Sequence, residues 1–137
     1  MLRITLRDGE KAIINGAVVR AIGRTKLLIE NRVSILRGSE VMQPEDATTP
    51  ARSLYFTCMM AYVDLEQRDA HNDRILSDLQ LVLKQMQQPA AQAACVRFAN
   101  HLARNDYYRA LASARELIAI EQTGSDSSET GDAIKAA

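Results

Sequence analysis

The feature that most constrains this chain is a change of hydrophobic period near residue 40. Leu2, Ile4 and Leu6 alternate with Arg3, Thr5 and Arg7, which is the two-residue period of a half-buried strand. Asp8-Gly9 then reads as a turn, Lys11 to Ile14 as a second strand, and Asn15-Gly16 as a hairpin turn. Asn-Gly carries that signal because both residues tolerate the positive φ of a type I′ turn. Ala17 to Ile22, Thr25 to Glu30 and Val33 to Leu36 follow as further strands, separated by Gly23-Arg24 and Asn31-Arg32. Turns this frequent predict a five-stranded antiparallel meander over residues 1–40, curled into a small barrel or sandwich.

Residues 41–49 are polar, contain Pro44 and read as a connector. Thr49-Pro50 then has the chemistry of a helix start, threonine at the N-cap and proline at the first helical position. Leu54, Tyr55, Cys58, Ala61 and Tyr62 recur at helical spacing. Asp64 to Asp73 is a charged break in which Asn72 or Asp73 is suited to cap a second helix. That helix carries a stripe of Ile75, Leu76, Leu79, Val82, Leu83 and Met86, the pattern of an amphipathic helix. Pro89 opens a third helix with Ala91, Cys95, Phe98 and Leu102 on one face. Asn105-Asp106 breaks the chain before a fourth helix lined by Tyr108, Leu111, Ala114 and Ile118. The fold class is therefore α+β: strands over 1–40, then about four helices over 50–122, paired as hairpins by short connections. Residues 123–137, rich in Gly, Ser, Thr and acids, read as a disordered tail.

Charge follows the same division. The 137 residues carry no net charge, with 17 basic and 17 acidic side chains. Eight of the basic ones (Arg3, Arg7, Lys11, Arg20, Arg24, Lys26, Arg32 and Arg37) fall in the first forty residues, against four acidic ones. Burying Leu2, Ile4 and Leu6 places Arg3 and Arg7 on the opposite face of the first strand. Burying Leu27 and Ile29 exposes Lys26 beside Arg24. A sheet so charged suits an anionic strand. An ordinary solvated face, with basic residues guarding sheet edges, has the same pattern. None of the six aromatic side chains lies in the strand region. A base-stacking platform has no material there, and any RNA contact has to be made by arginine and lysine.

Catalytic chemistry has little to work with. The only histidines are His71 and His101, and the chain has no Gly-rich phosphate loop, Cys-x-x-Cys, His-Glu-x-x-His or Gly-x-Ser-x-Gly. Asp69 to Asp73 reads as helix capping and solvation. Cys58 and Cys95 fall on apolar helix faces and read as buried free thiols. The expectation is a non-enzyme with no cofactor and no metal. With no apolar run long enough to span a bilayer and no signal-peptide block, the expected compartment is the cytoplasm.

One segment is not generic. Met42-Gln43-Pro44-Glu45-Asp46-Ala47-Thr48-Thr49-Pro50-Ala51-Arg52, followed by Leu54-Tyr55-Phe56, closely resembles the signature of the FlbT family of flagellar biosynthesis regulators. Met1 to Leu6, Gly9-Glu10-Lys11, Ile14 to Ala17, Leu28-Glu30-Asn31 and Ile35-Leu36-Arg37 resemble the same family in order and spacing, so the likeness covers about residues 1 to 120. It implies a cytoplasmic post-transcriptional repressor that associates with the 5′ untranslated leader of flagellin mRNA, limits translation or promotes decay, and works with the companion protein FlaF. The family supplies no catalytic residues to transfer. A second likeness concerns the N-terminus. Met1-Leu2, Arg7, Gly9-Glu10 and an apolar pair before a turn resemble the start of the CsrA/RsmA translational repressors. Those are small five-stranded dimers, in which Arg3, Arg7 and Arg37 would have the nearest equivalents in role. Strand lengths differ from theirs, and the helical region has no counterpart in them.

Two functions of different class result. In one, the basic strands bind the transcript leader while the helices dimerise or dock a protein partner. In the other, the protein is an adaptor in flagellin export or assembly with no direct RNA contact.

Overall fold

The computed structural model describes residues 1–136, with side chains described through Gly124. Five strands come first: β1 (Leu2–Leu6), β2 (Lys11–Ile14), β3 (Ala17–Arg20), β4 (Thr25–Ile29) and β5 (Ile35–Arg37). Four helices follow: α1 (Pro50–Val63), α2 (Arg68–Gln85), α3 (Pro89–Ala103) and α4 (Tyr107–Ala136). The expected α+β class is the one observed. The tail expected over 123–137 lies, from residue 125 on, outside the residues whose side chains are described.

Within that class the strands are not joined in simple sequence. β1 pairs with β4 in one antiparallel sheet, and β2 lies between β3 and β5 in another. β2 and β3 form the expected hairpin, with Ile14 opposite Ala17 and both Asn15 (φ 53°) and Gly16 (φ 87°) left-handed. The remaining pairings follow from burial. β1 and β4 each have one apolar face, and their opposed residues Ile4 and Leu27 contribute to a small core with Leu6, Ala12, Ala21, Ile14 and Ile35. β2 is apolar on both faces, Ala12 and Ile13 both being buried, and so takes the middle position. Its second face carries Ile13 opposite Leu36, and Leu36 is buried in the helical core. The result is three layers: the β1–β4 sheet, the β3–β2–β5 sheet and the helices.

The helical layer is built around α1, which packs on both α2 and α4, while α3 packs on α4. Its start is the threonine cap expected from sequence: Thr49 Oγ1 accepts from Arg52 N–H at 3.2 Å. Glu121 of α4 completes the cap, one carboxylate oxygen accepting from the Thr49 hydroxyl and the other from Ala51 N–H at 3.1 Å. A carboxylate at a helix N-terminus is favourable because it faces unpaired N–H groups and the positive end of the helix dipole. The segment before it, residues 41–49, is the strap between sheet and helices. Val41 and Met42 pack against the helical core, and Met59 Sδ accepts from Met42 N–H at 3.3 Å.

Three local expectations are corrected. α2 begins at Arg68 rather than after an Asn72 or Asp73 cap. Arg68 itself turns back to the end of α1, its Nε donating to the Ala61 carbonyl at 2.7 Å with the guanidinium over the Tyr107 ring. Asn72 accepts from the Tyr107 hydroxyl at 2.9 Å, and His71 lies 3.1 Å from Asp64, so these side chains tie the helices together rather than cap one. Along the α2 stripe, Leu76 and Leu83 are exposed while Ile75, Leu79, Val82 and Met86 are buried, so four of its six residues are used. On α4 the buried face includes Tyr107 and Leu117, and Tyr108 is turned outward.

Candidate nucleic-acid interface

All eight basic residues of the first forty are exposed. Among the described residues none of them forms an ion pair; the four pairs observed all lie elsewhere. Three arginines of the helical region behave differently: Arg68 closes α1, Arg97 pairs with Glu116 at 2.6 Å, and Arg115 reaches Tyr55 and Glu40. Basic groups outside ion pairs remain available to a polyanion, although Asp8, Glu10 and Glu40 lie near Arg7 and Arg37.

The fold does not place these groups on one surface. Arg3 lies opposite Leu28 and Lys26 opposite Thr5, and opposed residues share a face, so Arg3 and Lys26 stand together on the outer face of β1–β4. Arg7 and Arg24 continue from the same end of these two strands. Sequence parity exposed each pair on its own strand; the register brings Arg3 and Lys26 onto one face. Lys11 and Arg20, also directly opposed, have the parity of Ile13 and so lie on the far face of the other sheet. Like charges opposite one another cost stability. Arg37 bridges the two sheets, its Nη1 donating to the Thr5 carbonyl at 3.3 Å. Arg32 lies in the β4–β5 connection.

Arg32 shares a groove of about 650 Å³ with residues the sequence reading passed over. The groove lies at the seam of sheet and helices, between the β2–β3 turn, the β4–β5 connection, the end of α1 and the α3–α4 turn. Arg104 and Arg109 line it with Tyr62 and Tyr108, whose rings are 5.9 Å apart. No sequence motif joins Arg32 to Arg104; only folding brings them together.

Beside the groove, Glu40 ties sheet to helices. Its carbonyl accepts from the Tyr55 hydroxyl at 2.8 Å and its carboxylate from the Tyr108 hydroxyl at 2.6 Å. The Tyr62 hydroxyl accepts from Ile35 N–H at 3.2 Å. Donation to the Glu40 carboxylate, with burial second, pushes the Tyr108 pKa up to about 12. The ordinary tyrosine value is near 10, so the stabilising bond is complete below pH ~10 and is lost as pH rises through about 12. An ultraviolet titration is expected to show a tyrosine ionising in that late range, and Glu40→Gln to move it back toward the ordinary value.

Cys58 and Cys95 are buried free thiols as expected, and burial pushes the Cys58 pKa up to about 12. Among the described residues no group of three or more His, Cys, Asp or Glu is placed to hold a metal ion, and no helix is long and apolar enough to cross a membrane.

Comparison with known proteins gives a consistent picture. The family model described as flagellar protein FlbT matches residues 2–124. The flagellum biosynthesis repressor protein FlbT of Caulobacter vibrioides (strain CB 15) is 35% identical over 121 residues, covering 88% of this chain and 86% of that protein. A probable FlbT repressor of Agrobacterium fabrum is 35% identical over 121 residues, with 88% and 81% covered. One from Rhizobium leguminosarum bv. trifolii is 34% identical over 120 residues, with 88% and 80% covered. No solved structure matches the chain.

Proposed function

The chain belongs to the FlbT family of flagellar proteins, and from that premise we propose that it is a repressor of flagellum biosynthesis acting on the flagellin transcript. In this reading it works in the cytoplasm, binds the 5′ leader of flagellin mRNA through the outer face of β1–β4, and blocks translation or exposes the message to recruited nucleases. One observation carries the RNA part. Arg3, Arg7, Arg24 and Lys26 stand exposed at one sheet with no ion-pair partner among the described residues. Such a wall suits phosphates, which position a nucleic acid without reading its sequence.

The adaptor reading keeps one observation of its own. β3 is hydrogen-bonded on one edge only, all four of its residues are exposed, and Ile22 beyond it is 95% exposed. An open apolar strand edge is a template for pairing with another chain. A second copy or FlaF would be its partner.

Retention of a flagellin leader by the purified protein at low salt separates the two. Binding through phosphates is expected to weaken linearly in log K against log salt, by about 0.7 per phosphate contact on a single strand. A protein that fails to shift the leader at low salt, while still co-purifying with a flagellar protein, is the adaptor.

A further inference from the structure

The sequence leaves the strands without an aromatic surface; the fold supplies one at the seam. The groove between sheet and helices collects Arg32, Arg104 and Arg109 beside Tyr62 and Tyr108. Its carboxylate, Asp106, is already engaged: Oδ1 accepts from Arg109 N–H at 3.2 Å and Oδ2 lies 3.5 Å from Arg109 Nε. Arg32 and Arg104 have no ion-pair partner among the described residues. The groove's basic charge therefore exceeds its acidic charge, whereas the neighbouring groove around Arg7 and Arg37 also holds Asp8, Glu10 and Glu40.

The aromatic component is held in place. Tyr108 is 47% exposed although its hydroxyl is tied to Glu40, and the Tyr62 hydroxyl is tied to the β5 backbone. Two rings anchored at their hydroxyl ends offer a surface that loses little freedom when something stacks on it. The walls are also fixed. Asn15 N–H donates to the Ser34 carbonyl at 2.7 Å, holding the β2–β3 turn to the β4–β5 connection. At the α3–α4 turn Asp106 N–H donates to the His101 carbonyl at 2.9 Å.

Guanidiniums for a phosphate and an exposed ring for a base are the two requirements of a site for an unpaired nucleotide. We infer that the seam groove binds one nucleotide unit, its phosphate on Arg32 and Arg104 and its base against Tyr108. The inference deepens the RNA reading and rests on it for the source of that nucleotide, a single-stranded stretch of transcript. The same chemistry is presented by a free mononucleotide, so the test carries both.

The probes are a fluorescein-labelled ten-nucleotide oligouridine, followed by anisotropy at low salt, and free uridine monophosphate, followed by calorimetry. The variants are Arg104→Glu, Tyr108→Leu and Tyr108→Phe in the full chain, with circular dichroism to verify the fold. Arg104→Glu is expected to weaken the oligonucleotide at least fivefold and to lower the salt slope by about 0.7. Tyr108→Leu is expected to weaken it by about fivefold or more, the worth of one stacked base, while Tyr108→Phe, which keeps the ring but loses its anchor on Glu40, is expected to weaken it less than Tyr108→Leu does. Binding within twofold of wild type in both Arg104→Glu and Tyr108→Leu overturns the groove, whatever the outer sheet face does. Tighter oligonucleotide than mononucleotide binding assigns the groove to a strand. If wild type takes up the mononucleotide and Arg104→Glu does not, the groove stands even where leader binding fails. If wild type binds neither probe, the groove falls too.

Discussion

Reversing two charges, Arg3→Glu with Lys26→Glu, is expected to strip the protein of leader binding while leaving it folded. Both side chains are exposed on the outer face of β1–β4, opposite Leu28 and Thr5. Neither has an ion-pair partner to lose among the described residues. Surface changes of this kind usually alter stability by no more than about 0.5 kcal/mol. Each phosphate contact on a single strand contributes about 0.7 to the salt slope, so two lost contacts cost on the order of 25-fold in affinity near 0.1 M salt. Repulsion from the new carboxylates adds to that. Anisotropy with labelled leader at several salt concentrations reads both quantities. An unchanged slope and affinity in the double variant would remove this sheet face from the interface. The matched control is Lys11→Glu with Arg20→Glu, which reverses an equal charge on the other sheet and has to leave leader binding much less affected.

The second large effect is on stability. Leu36 is fully buried and is the strand side chain that enters the helical core, among residues such as Leu54, Cys58, Phe98 and Leu111. Replacing a buried leucine by alanine removes transfer free energy and leaves a cavity, a loss of about 2–5 kcal/mol. Against a total of roughly 5–15 kcal/mol for an ordinary domain, Leu36→Ala is expected to shift the urea midpoint strongly. Leu28→Ala, at a half-exposed position on the outer sheet face, is the contrast and is expected to change the midpoint little. A Leu36→Ala protein as stable as wild type would mean that the sheet is held to the helices by the Glu40 hydrogen bonds and the 41–49 strap instead.

Some of the candidate site was legible from residue order alone. The exposure of Arg3 and of Lys26 followed from the alternation of Leu2, Ile4 and Leu6 and of Leu27 and Ile29, since successive strand side chains point to opposite sides; that the two share one face required the pairing of β1 with β4. The eight basic residues of the first forty do not all stand on that face. Lys11 and Arg20 belong to the strand pair with the opposite outlook, and Arg32 belongs to the seam. Tyr108 looked like a core residue because Leu111 and Ala114 follow it at helical spacing. Its neighbour Tyr107 takes that place, with its hydroxyl on Asn72 and Arg68 over its ring.

What residue order determined by itself was local: the period of each strand and helix, the left-handed Asn15-Gly16 turn, the Thr49-Pro50 helix start and the surplus of positive charge before residue 40. These depend on contacts within a few residues, where backbone sterics and side-chain spacing decide. Tertiary structure alone decided that β1 pairs with β4, that Glu121 closes the cap of α1, and that Arg32 meets Arg104 and Arg109 across the seam. Such partners are far apart along the chain. Which apolar face covers which is settled by burying the most surface at once, a sum over the whole molecule that no short window of sequence contains.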